Sequence, residues 1–137
     1  MNTYKFDDII IGMKETFTVI ITKEMLESFC KITGDINPLH TNKSFAKEQG
    51  YKDCVAYGML TASFLSTLAG VYLPGKYSLI YEVENKFINP VFIGDTLTIS
   101  GEVIEKNDIF SFFIMKVVIS NQNNKKVLRG KMKVGVL

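Results

Sequence analysis

Gly58-Met59-Leu60-Thr61-Ala62-Ser63-Phe64-Leu65-Ser66-Thr67-Leu68-Ala69-Gly70-Val71-Tyr72-Leu73 is helical in composition and apolar nearly all round, and Pro74-Gly75 ends it. A helix without a polar face has to be enclosed by other parts of the fold. A membrane span needs about 20 apolar residues. This stretch is shorter and carries the hydroxyls of Thr61, Ser63, Ser66 and Thr67, which favours burial inside a globular domain.

What encloses the helix follows it in the chain. From Tyr77 onward the texture changes to strands, roughly Ser78 to Ile88, Asp95 to Glu105, Ile109 to Ser120 and Lys126 to Gly135. They are joined by Gly94-Asp95, Lys106-Asn107-Asp108 and Asn121-Gln122-Asn123-Asn124, residues that favour turns. Consecutive strands with short polar turns form an antiparallel sheet. One buried helix and a sheet too large to leave a face bare imply an α+β domain in which the sheet wraps the helix.

Upstream, Thr16 to Thr22 is β-branched and apolar enough for a short strand. Thr22 can then cap a helix from Lys23 that places Met25, Leu26, Phe29 and Ile32 on one stripe and stops at Gly34, suited to a left-handed terminus. A second short helix is expected from about Asn42 to Gln49, with Gly50 as its terminator.

The chain's 137 residues, 47% of them hydrophobic and without internal repeats, describe one domain over 1–137. A net charge of +2 is too weak for a nucleic-acid binder, and no basic stretch is interleaved with aromatics. The opening Met1-Asn2-Thr3-Tyr4-Lys5-Phe6-Asp7-Asp8 is acidic where a signal peptide is basic and then apolar, so a cytoplasmic protein with no membrane attachment is expected. Cys30 and Cys54 lie far apart with no CxxC, and a single histidine cannot complete a usual zinc set. They read as reduced cysteines lining the interior, and no metal is expected.

Chemistry concentrates in Gly34-Asp35-Ile36-Asn37-Pro38-Leu39-His40, which holds the only histidine five residues after an aspartate. Near neutral pH a carboxylate is an anion and an imidazole a proton shuttle, the minimum apparatus for moving a proton onto or off water. Asn37 can anchor this loop through its side chain and Pro38 stiffens it. On Asp35 and His40 alone, an ordinary Asn-Pro turn with a surface histidine is the commoner reading.

Three stretches together reverse that balance. The Gly34-to-His40 run, Tyr57-Gly58-Met59-Leu60-Thr61-Ala62-Ser63 and Asn89-Pro90-Val91-Phe92-Ile93-Gly94-Asp95 resemble, in order and spacing, the MaoC-like, (R)-specific enoyl-CoA hydratases of the hotdog fold. The resemblance implies a central helix in a curled antiparallel sheet, a homodimer or multiple of dimers, and an acyl-pantetheine tunnel near the subunit interface. It implies reversible addition of water to a trans-2-enoyl thioester of coenzyme A or acyl carrier protein, with no cofactor beyond that pantetheine. Asp35 and His40 match the family's catalytic pair and share the water. Gly58 matches the family glycine at the start of the central helix, where a free backbone N–H and the helix dipole make it the candidate oxyanion donor. Ser66 matches a family serine that could orient Asp35 or His40.

Tyr57 stands where the family usually has histidine, keeping a hydrogen-bonding tip while adding bulk to a possible substrate pocket. Arg129, Lys131 and Lys133 alternate along the last strand as a solvated face. Phe110, Phe112 and Phe113 read as core or interface packing. A hotdog thioesterase and a catalytically silent acyl-binding paralogue remain as alternatives. The intact Asp35-to-His40 run argues against the first, and retention of Asp35, His40, Gly58 and Ser66 together against the second. No GxSxG elbow supports a serine hydrolase.

Overall fold

The computed structural model describes residues 1–137 and begins with a single 3₁₀ turn at Phe6–Asp8, followed by strand β1 (Lys14–Ile20). Helix α1 (Lys23–Thr33) starts where the Thr22 hydroxyl accepts from the Met25 N–H at 3.2 Å. It ends at Gly34, whose φ of 73° directs its N–H back to the Cys30 carbonyl at 2.8 Å. Two short helices follow, α2 (Pro38–Thr41) and α3 (Lys43–Glu48), then α4 (Gly58–Thr67), which continues as a π-helical turn over Leu68–Tyr72.

Strands β2 (Ser78–Phe87), β3 (Thr96–Asn107), β4 (Phe112–Ser120) and β5 (Lys126–Val136) join β1 in one antiparallel sheet of order β1-β3-β4-β5-β2. Alternate residues of the central strands point inward: Leu97, Ile99 and Val103 from β3, Phe113, Met115, Val117 and Ile119 from β4, and Met132 and Val134 from β5. They pack with Leu65, Leu68 and Ala69 of α4 and its π-helical extension. Each large apolar side chain so enclosed contributes roughly 1.5–3 kcal/mol. At Gly101 of β3 the helix approaches closely enough that an added Cβ would lie 2.8 Å from a Leu68 methyl.

Several expectations need correction. The sheet covers one side of α4 only; Met59, Ser63, Ser66 and Val71 form an exposed stripe at helical spacing. Ile32 lies on the outer side of α1 at 82% exposure, since the stripe that packs turns through Leu26, Phe29 and Cys30. Strand β4 starts three residues later than expected because Ile109, Phe110 and Ser111 build the hairpin turn, with Ser111 at a φ of 51°. Phe110 therefore lies outside the chain's own core, while Phe113 is fully buried and Phe112 lies beneath the Lys133 ammonium, 4.0 Å from its ring centre. Cys30 and Cys54 are free and only half-buried. No helix is long and apolar enough to cross a membrane.

Candidate active site

The left-handed turn at Gly34 releases the chain from α1 and presents Asp35. Its backbone N–H donates to the Thr33 hydroxyl at 3.2 Å, and one carboxylate oxygen accepts from the Asn37 N–H at 3.0 Å. The Asn37 side chain in turn accepts from the Leu39 N–H at 3.0 Å, so Asn37 caps α2, with Pro38 at its first position. The expected loop is thus a turn leading into a one-turn helix, and His40 stands on that helix. This short helix escapes periodicity, which needs more than a single turn to register.

His40 is held from the other side. Its Nδ1 lies 2.7 Å from the Val55 carbonyl oxygen, and a carbonyl can only accept. The neutral ring therefore carries its proton on Nδ1 and keeps the Nε2 lone pair free. The Val55 carbonyl is itself fixed by neighbouring main chain: Val55 N–H donates to Leu39 at 3.1 Å and Ala56 N–H to Val91 at 2.7 Å. Beyond Val91, the buried Asp95 carboxylate receives the Phe92 N–H at 2.9 Å and the Gln122 side-chain amide at 3.0 Å. The Asn89-to-Asp95 motif thereby braces the acceptor that sets the imidazole tautomer.

Tyr57 is buried at 2% exposure. Its hydroxyl donates to the backbone carbonyl of Asp35 at 2.7 Å, and its ring lies against His40 with centroids 4.1 Å apart. The polar tip is thus engaged with the Asp35 turn, although the residue does line a cavity. Burial, reinforced by the adjacent Cys30 thiol and the Asp35 charge, pushes the Tyr57 phenol up to about 12, so it remains a donor.

Asp35, His40, Tyr57 and Gly58 line one cavity of about 420 Å³ together with Phe29, Thr33, Met59 and Phe87. A second, of about 290 Å³, shares His40, Gly58 and Phe87 with it and continues past Thr61, Val91 and Val127. Gly58 is the first residue of α4, and Tyr57 gives the helix no side-chain cap, so the first-turn N–H groups are available to a ligand. A Cβ at position 58 would come 3.2 Å from the Phe87 ring and narrow that space.

Ser66 is not brought to Asp35 or His40. It lies two turns beyond Gly58 on the exposed stripe of α4 and lines neither cavity. Arg129 and Lys131 are exposed on the sheet, outside both cavities. Sequence reasoning missed the Val55 carbonyl, Asp95, Phe87 and Thr61; of these, only the Gly94-Asp95 turn left a trace in the residues.

The profile of the family described as "MaoC like domain" matches residues 10–125. The chain belongs to the MaoC-like family. Over 105 residues it is 35% identical to the (R)-specific enoyl-CoA hydratase of Rhodospirillum rubrum, covering 74% of this chain and 73% of that protein. Its fold superposes on an R-hydratase of Pseudomonas aeruginosa with a TM-score of 0.91 and 28% identity, over 96% of this chain and 84% of the other. The (R)-hydratase of Aeromonas caviae, involved in PHA biosynthesis, gives 0.90 and 28%, over 94% and 98%. The hotdog fold and the reading of this MaoC-like chain as an enzyme are borne out.

Proposed function

We propose that the chain catalyses reversible addition of water to a trans-2-enoyl thioester, as an (R)-specific enoyl-CoA hydratase and 3-hydroxyacyl thioester dehydratase. The observation that carries this reading is the fixed His40 tautomer, which leaves Nε2 free in a cavity shared with the Asp35 carboxylate and the open start of α4. In the hydration direction, water oxygen bonds to Cβ while the Asp35–His40 pair takes its proton and supplies one to Cα. Charge gathers meanwhile on the thioester oxygen, where the Gly58 N–H and the positive end of the helix dipole stabilise it. The sequence relationship to R-specific hydratases supports the stereochemistry. The reaction needs no cofactor beyond the pantetheine thioester of the substrate, carried by coenzyme A or acyl carrier protein.

A homodimer completes this reading. Strand β2 is an edge strand on which Tyr81, Val83 and Phe87 are exposed, and the Met59–Val71 stripe of α4 is uncovered as well. A monomer with both surfaces open presents an unpaired strand and apolar area that a second copy would bury.

The test is the ultraviolet absorbance of crotonyl-CoA with the purified protein, with free thiol followed in parallel. Loss of the conjugated band without thiol release is expected; thiol release would replace this reaction with thioester hydrolysis.

A further inference from the structure

Thr61 is 2% exposed, and its Oγ1 is buried without a hydrogen-bond partner. A buried hydroxyl left unpaired costs free energy that folding does not recover. Helical threonines and serines ordinarily avoid the cost by bonding back to a carbonyl of the preceding turn. Thr33 does so to Phe29 at 2.8 Å, Thr41 to Asn37 at 3.3 Å and Ser63 to Leu60 at 2.6 Å. Thr61 has the same opportunity towards Tyr57 and Gly58 and leaves it unused.

Its position gives the free hydroxyl a target. Residues three apart share a helix face, and side chains on a helix tilt toward its N-terminus. Thr61 therefore shares a helix face with Gly58, and both line the cavity that also contains His40. We propose that the Thr61 hydroxyl is a second donor to the substrate's thioester oxygen, completing with the Gly58 N–H the site that holds the enolate charge. The inference rests on the hydratase reading above and adds a side-chain member to its oxyanion site. One donor from the main chain and one from a neighbouring side chain would share the developing charge on that oxygen.

Thr61→Val keeps the shape and removes the hydroxyl, and Thr61→Ser keeps the hydroxyl. With crotonyl-CoA, Thr61→Val is expected to lose about 10²-fold in kcat, the usual cost of removing one such donor, with KM changed by less than about threefold. Thr61→Ser is expected to retain most of the turnover. Because Thr61→Val sheds an unpaired buried hydroxyl, its melting temperature should be equal to or above wild type. Acetoacetyl-CoA supplies a readout without turnover: the fraction bound as enolate, seen in its ultraviolet band, should fall in Thr61→Val and not in Thr61→Ser. Wild-type kcat in Thr61→Val would overturn the proposal while leaving the hydratase reading intact. A lower melting temperature with an unchanged enolate fraction would also overturn it, by showing a structural role. Failure of the wild type to hydrate either crotonyl-CoA or crotonyl-acyl carrier protein would overturn both.

Discussion

His40 and Asp35, the pair to which the proposed reaction assigns its water, are held by different anchors. The imidazole is fixed by a hydrogen bond to main chain, and the carboxylate by a tight turn that occupies only one of its oxygens. Replacing His40 with alanine, or Asp35 with asparagine, is expected to lower kcat for crotonyl-CoA hydration by at least about 10²-fold. The far-ultraviolet circular dichroism should stay as in wild type, since Asp35 is exposed and His40 only half-buried. Tyr57→Phe removes the donor to the Asp35 carbonyl and should cost about 1 kcal/mol in denaturant unfolding. The phenol's raised pKa adds a pH signature. Its stabilising contribution is complete below the ordinary value of 10.0 and is lost as pH rises through about 12. Wild type should therefore lose stability more steeply than Tyr57→Phe across that alkaline window, measured as the shift in denaturation midpoint. The Asn37 anchor was legible in the sequence because turn chemistry acts between near neighbours. The acceptor for His40 was not, since any residue at position 55 offers a carbonyl. Nor was the unpaired hydroxyl of Thr61, which depends on what surrounds it.

At the scale of elements, the Asn89-to-Asp95 turn acts as a brace reaching from the sheet to the imidazole. Asp95→Ala removes an acceptor used by Phe92 and Gln122 and is expected to lower stability by roughly 1–3 kcal/mol. It should also reduce kcat severalfold under conditions where the protein remains folded, because the Val91–Ala56 link beside the His40 acceptor loosens. Thermal denaturation and steady-state kinetics on the same preparation check both. Five strands and the principal helices could be read from alternation and caps, with ends displaced by a few residues. The π-helical turn after Thr67 was hidden, because a change of helical pitch leaves composition and apolar character unaltered. The extent of α4's burial was misjudged for a related reason: hydrophobicity records that a face is to be covered without saying by which chain.

For the molecule as a whole, the exposed apolar face of β2 and the uncovered stripe of α4 predict self-association. Light scattering is expected to give the mass of a dimer or a multiple of it. Val83→Asp, placing a charge on the exposed part of β2, should shift the protein toward monomer and lower hydration with it. A fully active monomer would detach the reaction from the interface.

The carbonyl that fixes the His40 tautomer also has a consequence for how this site can change over generations. A main-chain oxygen has no codon of its own, so substitutions at position 55 can alter the side chain while leaving the oxygen that His40 contacts. Variation that breaks this contact has to arrive indirectly, by displacing the strand-like pairing of Val55 with Phe92 or the turn closed by Asp95. For the contact with His40 alone, a change of side chain at residue 55 is expected to matter less than loss of the Asp95 carboxylate, because the tautomer is set by backbone shape rather than side-chain identity.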